Sequence, residues 1–432
     1  MTDATRPGAA PTLPVIFIVA TIVIEAMGIG LILPVMPSLL REIQGADLAQ
    51  AAIWGGVLSS SYALMQFLFS PTIGNLSDRF GRRPVLLLSM AVIFVDYIVM
   101  ALAGSLWLLL VGRIVAGIAA ATMSTANAFM ADISDPAKKA QNFGLISAAF
   151  GAGFVLGPAT GGLLAEWGPR APFWAAAILS GANLAFGLIV LPETLRRPRA
   201  FEWRRANPLG GLRAIGKLPG LGALMVVWFF YQVANWVYPA VWAYFTQSAF
   251  GWDEAMVGLS LAAYGISMVV VQGVLIRWIV PRLGERRTLA WFLPYNAVIL
   301  VMVAFVPHGW LMLLLTPLSA LGAIVAPALQ GLASRIADDD QQGELQGVLA
   351  SITAVAAIIS PLLMTRLFSV ATEGERHFPG APFLAACALM AVSWTLFRRA
   401  RPADAAVGQE GPDPAALGAS SGSGRARNDR PT

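Results

Sequence analysis

The chain has 432 residues, of which 57% are hydrophobic and only 12% are charged. Soluble domains carry about 25% charged residues, so this composition excludes an ordinary soluble protein and predicts several membrane spans. The net charge of +5 does not indicate nucleic-acid binding, because the basic residues lie in short loops between apolar runs, where they orient a chain in the membrane.

Twelve apolar runs follow one another, each about 18–26 residues long, and about 20 helical residues cross a membrane core. Backbone groups in lipid need internal hydrogen bonds, so the runs are predicted helices, which we number span 1 to span 12. The first run is too long for the apolar part of a signal peptide and is predicted to be retained. The spans lie at about 14–37, 52–72, 84–104, 106–129, 141–165, 171–191, 221–246, 256–280, 288–306, 309–333, 344–369 and 380–397.

The loops after spans 2, 4, 6 and 8 hold most of the basic residues, and such loops remain in the cytoplasm. Both termini are then cytoplasmic, and the chain is predicted to be a multi-pass protein of the plasma membrane, which is the inner membrane in bacteria. The basic loops carry Arg79, Arg82, Arg83, Lys138, Lys139, Arg282, Arg286, Arg287 and the basic residues of 192–219; the opposite loops carry Arg41, Arg170 and Arg376.

The two halves of the chain are related by a shift of 203 residues. Segment 79–81 (Arg-Phe-Gly) matches 282–284 (Arg-Leu-Gly), and Pro158 matches Pro361. Two parallel six-helix halves around a central site are a known transporter plan. We therefore predict an all-α polytopic membrane protein of twelve helices in two pseudo-symmetric bundles. Its predicted parts are a cytoplasmic tail (1–13), an N-terminal bundle (14–191), a cytoplasmic linker (192–219), a C-terminal bundle (220–398) and a disordered cytoplasmic tail (399–432).

Two carboxylates lie inside predicted spans, Glu25 in span 1 and Asp96 in span 3. A charged side chain at the membrane centre costs about 2.5–3.5 kcal/mol on insertion scales, so each should face a cavity or a partner. Burial disfavours the charged form of a carboxyl group, which suits it to bind and release a proton. We predict proton coupling at both residues; the alternative is a structural hydrogen bond between helices.

Arg113 lies deep in span 4, on a small and polar helix face that also holds Gly117, Ser124 and Asn127. This face is predicted to line a water-accessible path, where Arg113 would stabilise a nearby carboxylate or relay protons. The alternative is an arginine that packs in the bundle and reaches toward the membrane surface.

Span 5 combines closely spaced glycines with a proline. Glycines every four residues allow close helix contact, and proline removes a backbone hydrogen bond and bends a helix. We predict a bend at a close contact between the halves, which would act as a pivot. The pattern consists of Gly153, Gly157, Pro158, Gly161 and Gly162.

A short charged stretch, Gly74–Pro84, lies between spans 2 and 3 and is predicted to be a loop. Its partial copy after span 8 has Pro281 where the first copy has Asp78. We predict an asymmetric latch, in which Asp78 and Arg79 tie spans 2 and 3 to a helix end of the other half when the cytoplasmic side is shut. Its residues are Gly74, Asp78, Arg79, Gly81, Arg82 and Arg83.

Polar and aromatic stripes at helical spacing predict the walls of a substrate cavity. Aromatic surface with few hydrogen-bonding groups suits a large, partly apolar ligand. The alternative for every member is packing between helices. The predicted cavity residues are Tyr62, Gln66, Asn127, Trp228, Gln232, Asn235, Gln272 and Gln330.

Signatures of enzymes and of ATP-driven pumps do not occur in the sequence. It has no phosphate-binding loop with a lysine, no metal-ligand spacing and no nucleophile with a plausible triad. We therefore predict a protein that is not an enzyme and that needs no cofactor and no metal.

The stretch Gly74-xxx-Asp78-Arg79-xx-Arg82-Arg83 resembles the signature loop of the major facilitator superfamily, and 113–117 resembles its fourth-helix motif. The glycine-proline pattern of span 5 resembles that of its proton-coupled drug antiporters. More narrowly, nearly all of 14–397 resembles the tetracycline efflux pumps, in the segments 28–34, 78–89, 96–97, 112–117 and 260–265. The resemblance implies functional roles for Glu25, Asp96, Asp78 and Arg79.

The chain departs from those pumps at three positions. It has Glu25 where they have aspartate, Met268 where they have histidine, and Asn296 where they have aspartate. We place Met268 and Asn296 in the predicted cavity. Proton coupling would then rest on Glu25 and Asp96, in the first half of the chain.

The function predicted from the resemblance is proton-coupled efflux of an amphiphilic, tetracycline-like drug by alternating access. The alternatives are a proton-coupled importer of a small nutrient with the same fold, and a membrane sensor that moves no solute. The expected partners are a small amphiphile, protons and lipid, with no nucleic acid and the chain as a monomer. A divalent ion would enter only as part of a drug chelate.

Overall fold

The computed structural model of the chain describes residues 12–45, 47–120, 122–195, 200–202, 206–218, 220–373 and 377–400. Most of both predicted tails and much of the predicted linker, with its arginines at 196, 197, 199, 204 and 205, lie outside these ranges. The spans are Thr12–Gln44 (1), Leu48–Phe80 (2), Arg82–Leu102 (3), Leu106–Ala119 with Thr122–Ile133 (4), Lys139–Leu164 (5), Ala171–Val190 (6), Gly222–Asn235 with Val237–Phe250 (7), Glu254–Val270, Val271–Leu275 and Ile276–Phe305 (8 and 9), Gly309–Ala320, Leu321–Ile324 and Val325–Ile336 (10), Gln342–Thr372 (11) and Ala381–Arg399 (12).

Spans 8 and 9 form one continuous helical stretch of 52 residues, Glu254–Phe305, which a single glycine divides at the basic segment between the two spans. Gly284 has φ 73° and ψ 156°, a left-handed conformation that only glycine adopts without strain. Gly81, at the matching position of the first half, has φ 109° and ψ 153° and separates spans 2 and 3 in the same way. The described part of the chain therefore contains the twelve predicted spans, with spans 8 and 9 joined in one helical stretch.

The stretch Gly74–Pro84 is therefore not the loop that its charges predicted. Asp78 and Arg79 lie on the last turns of span 2, and Arg82 begins span 3, so Gly81 is the whole connection. The charged residues tolerate helical structure here because they lie at helix ends, where the membrane surface supplies water.

Spans 4 and 10 are interrupted at equivalent places. Span 4 stops at Ala119 and restarts at Thr122, and Ala120 has the non-helical ψ of 59°. Span 10 tightens into a 3₁₀ turn at Leu321–Ile324, which is 203 residues further along the chain. Matching turns and matching interruptions support a duplicated six-helix unit.

The helices expose large apolar side chains on their outer surface. Trp107 and Trp291 are each 70% exposed and Ile189 is 84% exposed. A soluble protein does not leave so much apolar surface in water, so this surface faces lipid, and the chain is a multi-pass membrane protein.

The halves meet on one side of the membrane. We call the side that carries the Gly81 and Gly284 turns the basic face. Toward the other face, the Ser38 hydroxyl of span 1 donates a hydrogen bond to Glu254 of span 8, and span 2 binds span 11 through Ser60 Oγ and Ile358 O at 2.7 Å. The segments of spans 4 and 10 nearest the basic face, Thr122–Ile133 and Val325–Ile336, pack within their own halves. The bundle is therefore open toward the basic face at these two spans.

Candidate functional site

Asp96 and Arg113 form a buried ion pair between spans 3 and 4. The Asp96 side chain is 4% exposed and that of Arg113 is 12% exposed. Gly112 leaves the room that the carboxylate needs, since a side chain there would lie 2.9 Å from Asp96 Oδ1. The guanidinium also lies over the ring of Tyr62, 5.4 Å from its centre. Arg113 thus neutralises one of the two predicted coupling carboxylates.

Glu25 has no ion-pair partner among the described residues. It is half-buried, and its Oε2 atom is buried without a hydrogen bond within the described chain. Thr122 of span 4 and the rings of Tyr62 and Tyr97 lie close to it. Because the nearby arginine is already paired with Asp96, the charge of Glu25 has no fixed counter-charge.

Tyr97 brings span 3 against span 1. A side chain at Gly28 would collide with the Tyr97 hydroxyl, so the glycine allows this contact. The contact completes one group of side chains from spans 1 to 4, which we call the polar cluster. It consists of Glu25, Tyr62, Asp96, Tyr97 and Arg113.

The described residues of the second half contain no comparable group. In the described parts of 220–400, every Asp and Glu lies in the first or last turn of a span or in a connection. Aromatic rings are found instead, with Tyr238 of span 7 stacked on Tyr264 of span 8 at 6.0 Å. No group of three His, Cys, Asp or Glu side chains able to hold a metal occurs in the described part of the chain.

At the basic face, Arg82 ties spans 2, 3 and 4 together. It contacts Asp78 at 2.5 Å and Asp132, at the end of span 4, at 3.2 Å. Arg79 is exposed and lies over its neighbour Phe80. In this arrangement both carboxylates that bind the Arg82 guanidinium belong to the first half, so a link across the halves remains a prediction for the closed state.

Glu193, just after span 6, is a functional candidate that the sequence analysis missed. Its carboxylate accepts hydrogen bonds from the backbone amides of Arg82 at 2.9 Å and Arg83 at 3.2 Å. These amides begin span 3, where a negative charge also stabilises the helix dipole. A lone glutamate gives no motif, and its partners are backbone groups that no sequence pattern reveals.

The second half repeats the tie of Arg82 to Asp132 with reversed charges. Glu285 and Arg335 lie 203 residues beyond Arg82 and Asp132, and they contact each other at 2.7 Å. Each half therefore links its glycine turn to the end of its fourth helix. The pair does not stand out in the 203-residue repeat, because neither residue is identical or similar to its counterpart in the first half.

The glycines of span 5 contact two different helices. Gly153, Gly157 and Gly161 lie against the backbone of span 1, in the same half. Gly162 and the Pro158 carbonyl lie against span 8, at Glu254 and Gly258, in the other half. The predicted contact between halves thus involves only one side of the motif, and its larger part holds the first half together.

We expect Gly157→Ala to destabilise the protein by about 1–3 kcal/mol, because the new methyl group would be forced into the backbone of span 1 around Gly30. Thermal unfolding in detergent measures the effect. Gly151→Ala is the matched control in the same helix, since a side chain there meets nothing within 4 Å. Equal stability of the two variants would contradict the tight contact.

The predicted cavity residues differ in how deeply their side chains are buried. Trp228 and Gln232 are buried and bond to Thr353 of span 11 at 3.1 and 2.9 Å, and Asn296 is buried and bonds to the Gly322 carbonyl of span 10 at 3.3 Å. These three residues pack between helices, because their polar atoms find partners there. The half-buried members are Tyr62, Asn127 and Met268, and the exposed members are Gln66, Asn235, Gln272 and Gln330.

Comparisons with known proteins agree with this architecture. The family model described as Major Facilitator Superfamily matches residues 18–361 and 224–430. The class C tetracycline resistance protein of Escherichia coli is 41% identical over 385 residues, which cover 89% of this chain and 96% of that protein. The class G tetracycline resistance protein of Vibrio anguillarum is 42% identical over 352 residues, 81% of this chain and 89% of that protein.

A solved structure has the same fold. It is that of a bacterial homologue of the human lysosomal transporter Spinster, in an inward-facing and occupied conformation. The TM-score is 0.73 at 15% identity, over 92% of this chain and 97% of that one.

Proposed function

This chain belongs to the Major Facilitator Superfamily, and on that premise we propose that it is a proton-coupled antiporter that exports an amphiphilic drug. The relatives named tetracycline resistance proteins support this reading, since they match over nearly their whole length. The substrate we propose is tetracycline or a compound of similar size and polarity, with any divalent ion carried as part of a drug chelate.

The observation that carries the proposal is the unequal state of the two intramembrane carboxyls. Asp96 is fixed by Arg113, whereas Glu25 has no counter-charge among the described residues. A carboxylate without a partner in a membrane is costly, so Glu25 is stabilised when it takes up a proton or meets a substrate. Competition between proton and substrate for one site is what exchange requires.

Alternating access follows from the contacts between halves. The links toward the face opposite the basic face, including Ser38 to Glu254, are made in this conformation. They must break when that side opens, and contacts must form at the basic face instead. With both termini in the cytoplasm, the open side receives drug from inside the cell, and protons enter at Glu25 from outside.

The direct test is a drug-susceptibility panel in a host that lacks its own efflux pumps, with and without the gene. We expect raised resistance to at least one amphiphilic drug. Purified protein in liposomes should then exchange that drug for protons. Drug uptake along the proton gradient would instead indicate an importer, and an absence of solute movement would overturn the proposal.

We propose that the group around Arg82 is a latch that shuts the basic face. Span 2 packs on span 11 of the other half. Span 11 begins at Gln342, on the same face of the membrane as Asp78. A carboxylate at Asp78 would be favoured beside the amides of that helix start. The proposed latch residues are Gly74, Asp78, Arg79, Gly81, Arg82 and Arg83.

We expect Asp78→Asn to slow transport several-fold while substrate affinity stays within about twofold, because the latch acts on the conformational step and not on the cavity. Initial rates in vesicles and ligand binding in detergent separate the two quantities. Asp135→Asn, a nearby acid in the connection after span 4, is the control. Loss of binding at an unchanged rate per bound ligand would count against a latch.

A further inference from the structure

Several buried polar atoms in and beside the polar cluster lack hydrogen-bond partners within the described chain. They include Oε2 of Glu25 in span 1, the hydroxyl oxygens of Thr122 and Thr125 in span 4, Oδ1 of Asp96 and Nε of Arg113. Thr122 lies within hydrogen-bonding reach of the Glu25 carboxyl, and Thr125 follows on the same helix face, three residues later. Both threonines are only 1% exposed. Unsatisfied buried polar groups are costly, so this site favours a small polar molecule such as water.

The interruption of span 4 leaves the Thr122 hydroxyl without an earlier carbonyl of its own helical segment to bond to. A helical threonine ordinarily bonds to the carbonyl three or four residues earlier. Thr122 begins a new helical segment just after the break at Ala120, so a continuous helix does not precede it. Three buried threonines in continuous helices make this bond: Thr246 to Trp242 at 2.9 Å, Thr316 to Met312 at 2.9 Å and Thr365 to Pro361 at 2.7 Å.

The hydroxyl groups of Thr122 and Thr125 are neutral groups of span 4 that can donate hydrogen bonds toward the Glu25 carboxyl. The titratable groups that face Glu25 are Tyr62 of span 2 and Tyr97 of span 3. The charged groups of spans 3 and 4, Asp96 and Arg113, are bound to each other. A hydroxyl can donate to a carboxylate and accept from water, so it can serve both states of an acid that gains and loses a proton.

We propose that Thr122 and Thr125 are positioning residues for the proton exchanged at Glu25. Their hydroxyls hold water against Oε2, and the proton reaches and leaves the carboxyl through that water. The inference rests on the proposed coupling role of Glu25. Hydrogen bonds to the carboxylate favour its charged form, so the threonines help Glu25 to release its proton toward the open side.

The test is the pH dependence of initial efflux rate for Thr122→Val, Thr125→Val and the double variant. Valine keeps the shape and removes the hydroxyl. We expect the midpoint of the pH profile to move upward by about one unit in the double variant, since hydrogen bonds to a charged group of about 1.5 kcal/mol correspond to that shift. Serine at either position should restore the parental midpoint.

Thr316→Val is the matched control, because that hydroxyl bonds within its own helix. It should leave the midpoint unchanged. If the double valine variant keeps the parental midpoint and only loses folded protein, the threonines merely pack, and the inference is wrong. Glu25→Gln tests the coupling role of Glu25 separately from the role of the threonines. If this variant retains full pH-driven efflux, the coupling role of Glu25 is wrong, whatever the threonine variants show.

Discussion

Glu25→Gln should abolish the drug gradient that a pH difference drives, while exchange of labelled for unlabelled drug continues. Glutamine keeps the size and hydrogen-bonding capacity of the side chain but cannot release a proton. Each unit of pH difference supplies about 1.4 kcal/mol for each proton exchanged, which corresponds to a tenfold drug gradient. We expect the variant to lose this tenfold gradient entirely in energised vesicles.

The matched control is Glu254→Gln, which changes a glutamate that binds Ser38 near a span end. It should alter the rate at which the halves separate but leave the final gradient in place. Retention of a full gradient by Glu25→Gln would show that protons are exchanged at another group, with Asp96 the next candidate.

Asp96→Asn should destabilise the fold by about 3–5 kcal/mol, because it leaves the Arg113 guanidinium buried without its counter-charge. The yield of folded protein and the unfolding temperature in detergent measure this loss. Removal of both charges, in Asp96→Asn with Arg113→Gln, should recover most of the stability, since two neutral side chains can still bond to each other.

Transport by the double variant then separates two roles of the pair. Recovery of stability without pH-driven efflux would assign the pair to coupling, the role that the depth of Asp96 in span 3 predicts. Recovery of both would make it a structural link. If the single variant Asp96→Asn is as stable as the parent protein, the ion pair contributes little to the stability of the fold. A structural role would then not explain why the pair is present.

Much of the fold follows from the sequence, because lipid imposes strong rules on it. Apolar length predicted twelve helices, and the 203-residue shift predicted a repeat that the matching turns at Gly81 and Gly284 support. The shortness of those turns was not predictable from charge. A cluster such as Asp78 to Arg83 is equally compatible with a loop and with two helix ends joined by one residue.

The sequence predicted individual residues of the candidate site but not how they pair. Residue depth singled out Glu25, Asp96 and Arg113, but depth alone does not show which carboxylate pairs with the arginine. That choice depends on how spans 1, 3 and 4 pack together. Glu193 and the pair of Glu285 with Arg335 were missed for a similar reason, since their partners lie far along the chain and follow no local pattern.

The uneven distribution of acids between the halves has a consequence for evolution. All the intramembrane carboxyls that we assign to energy conversion lie in spans 1 and 3, and the facing helices of the second half present aromatic rings such as Tyr238 and Tyr264. Selection by a new antibiotic can therefore reshape the second half without disturbing the proton chemistry of the first. Lineages of such pumps should accumulate substrate-altering changes mainly in spans 7 to 10.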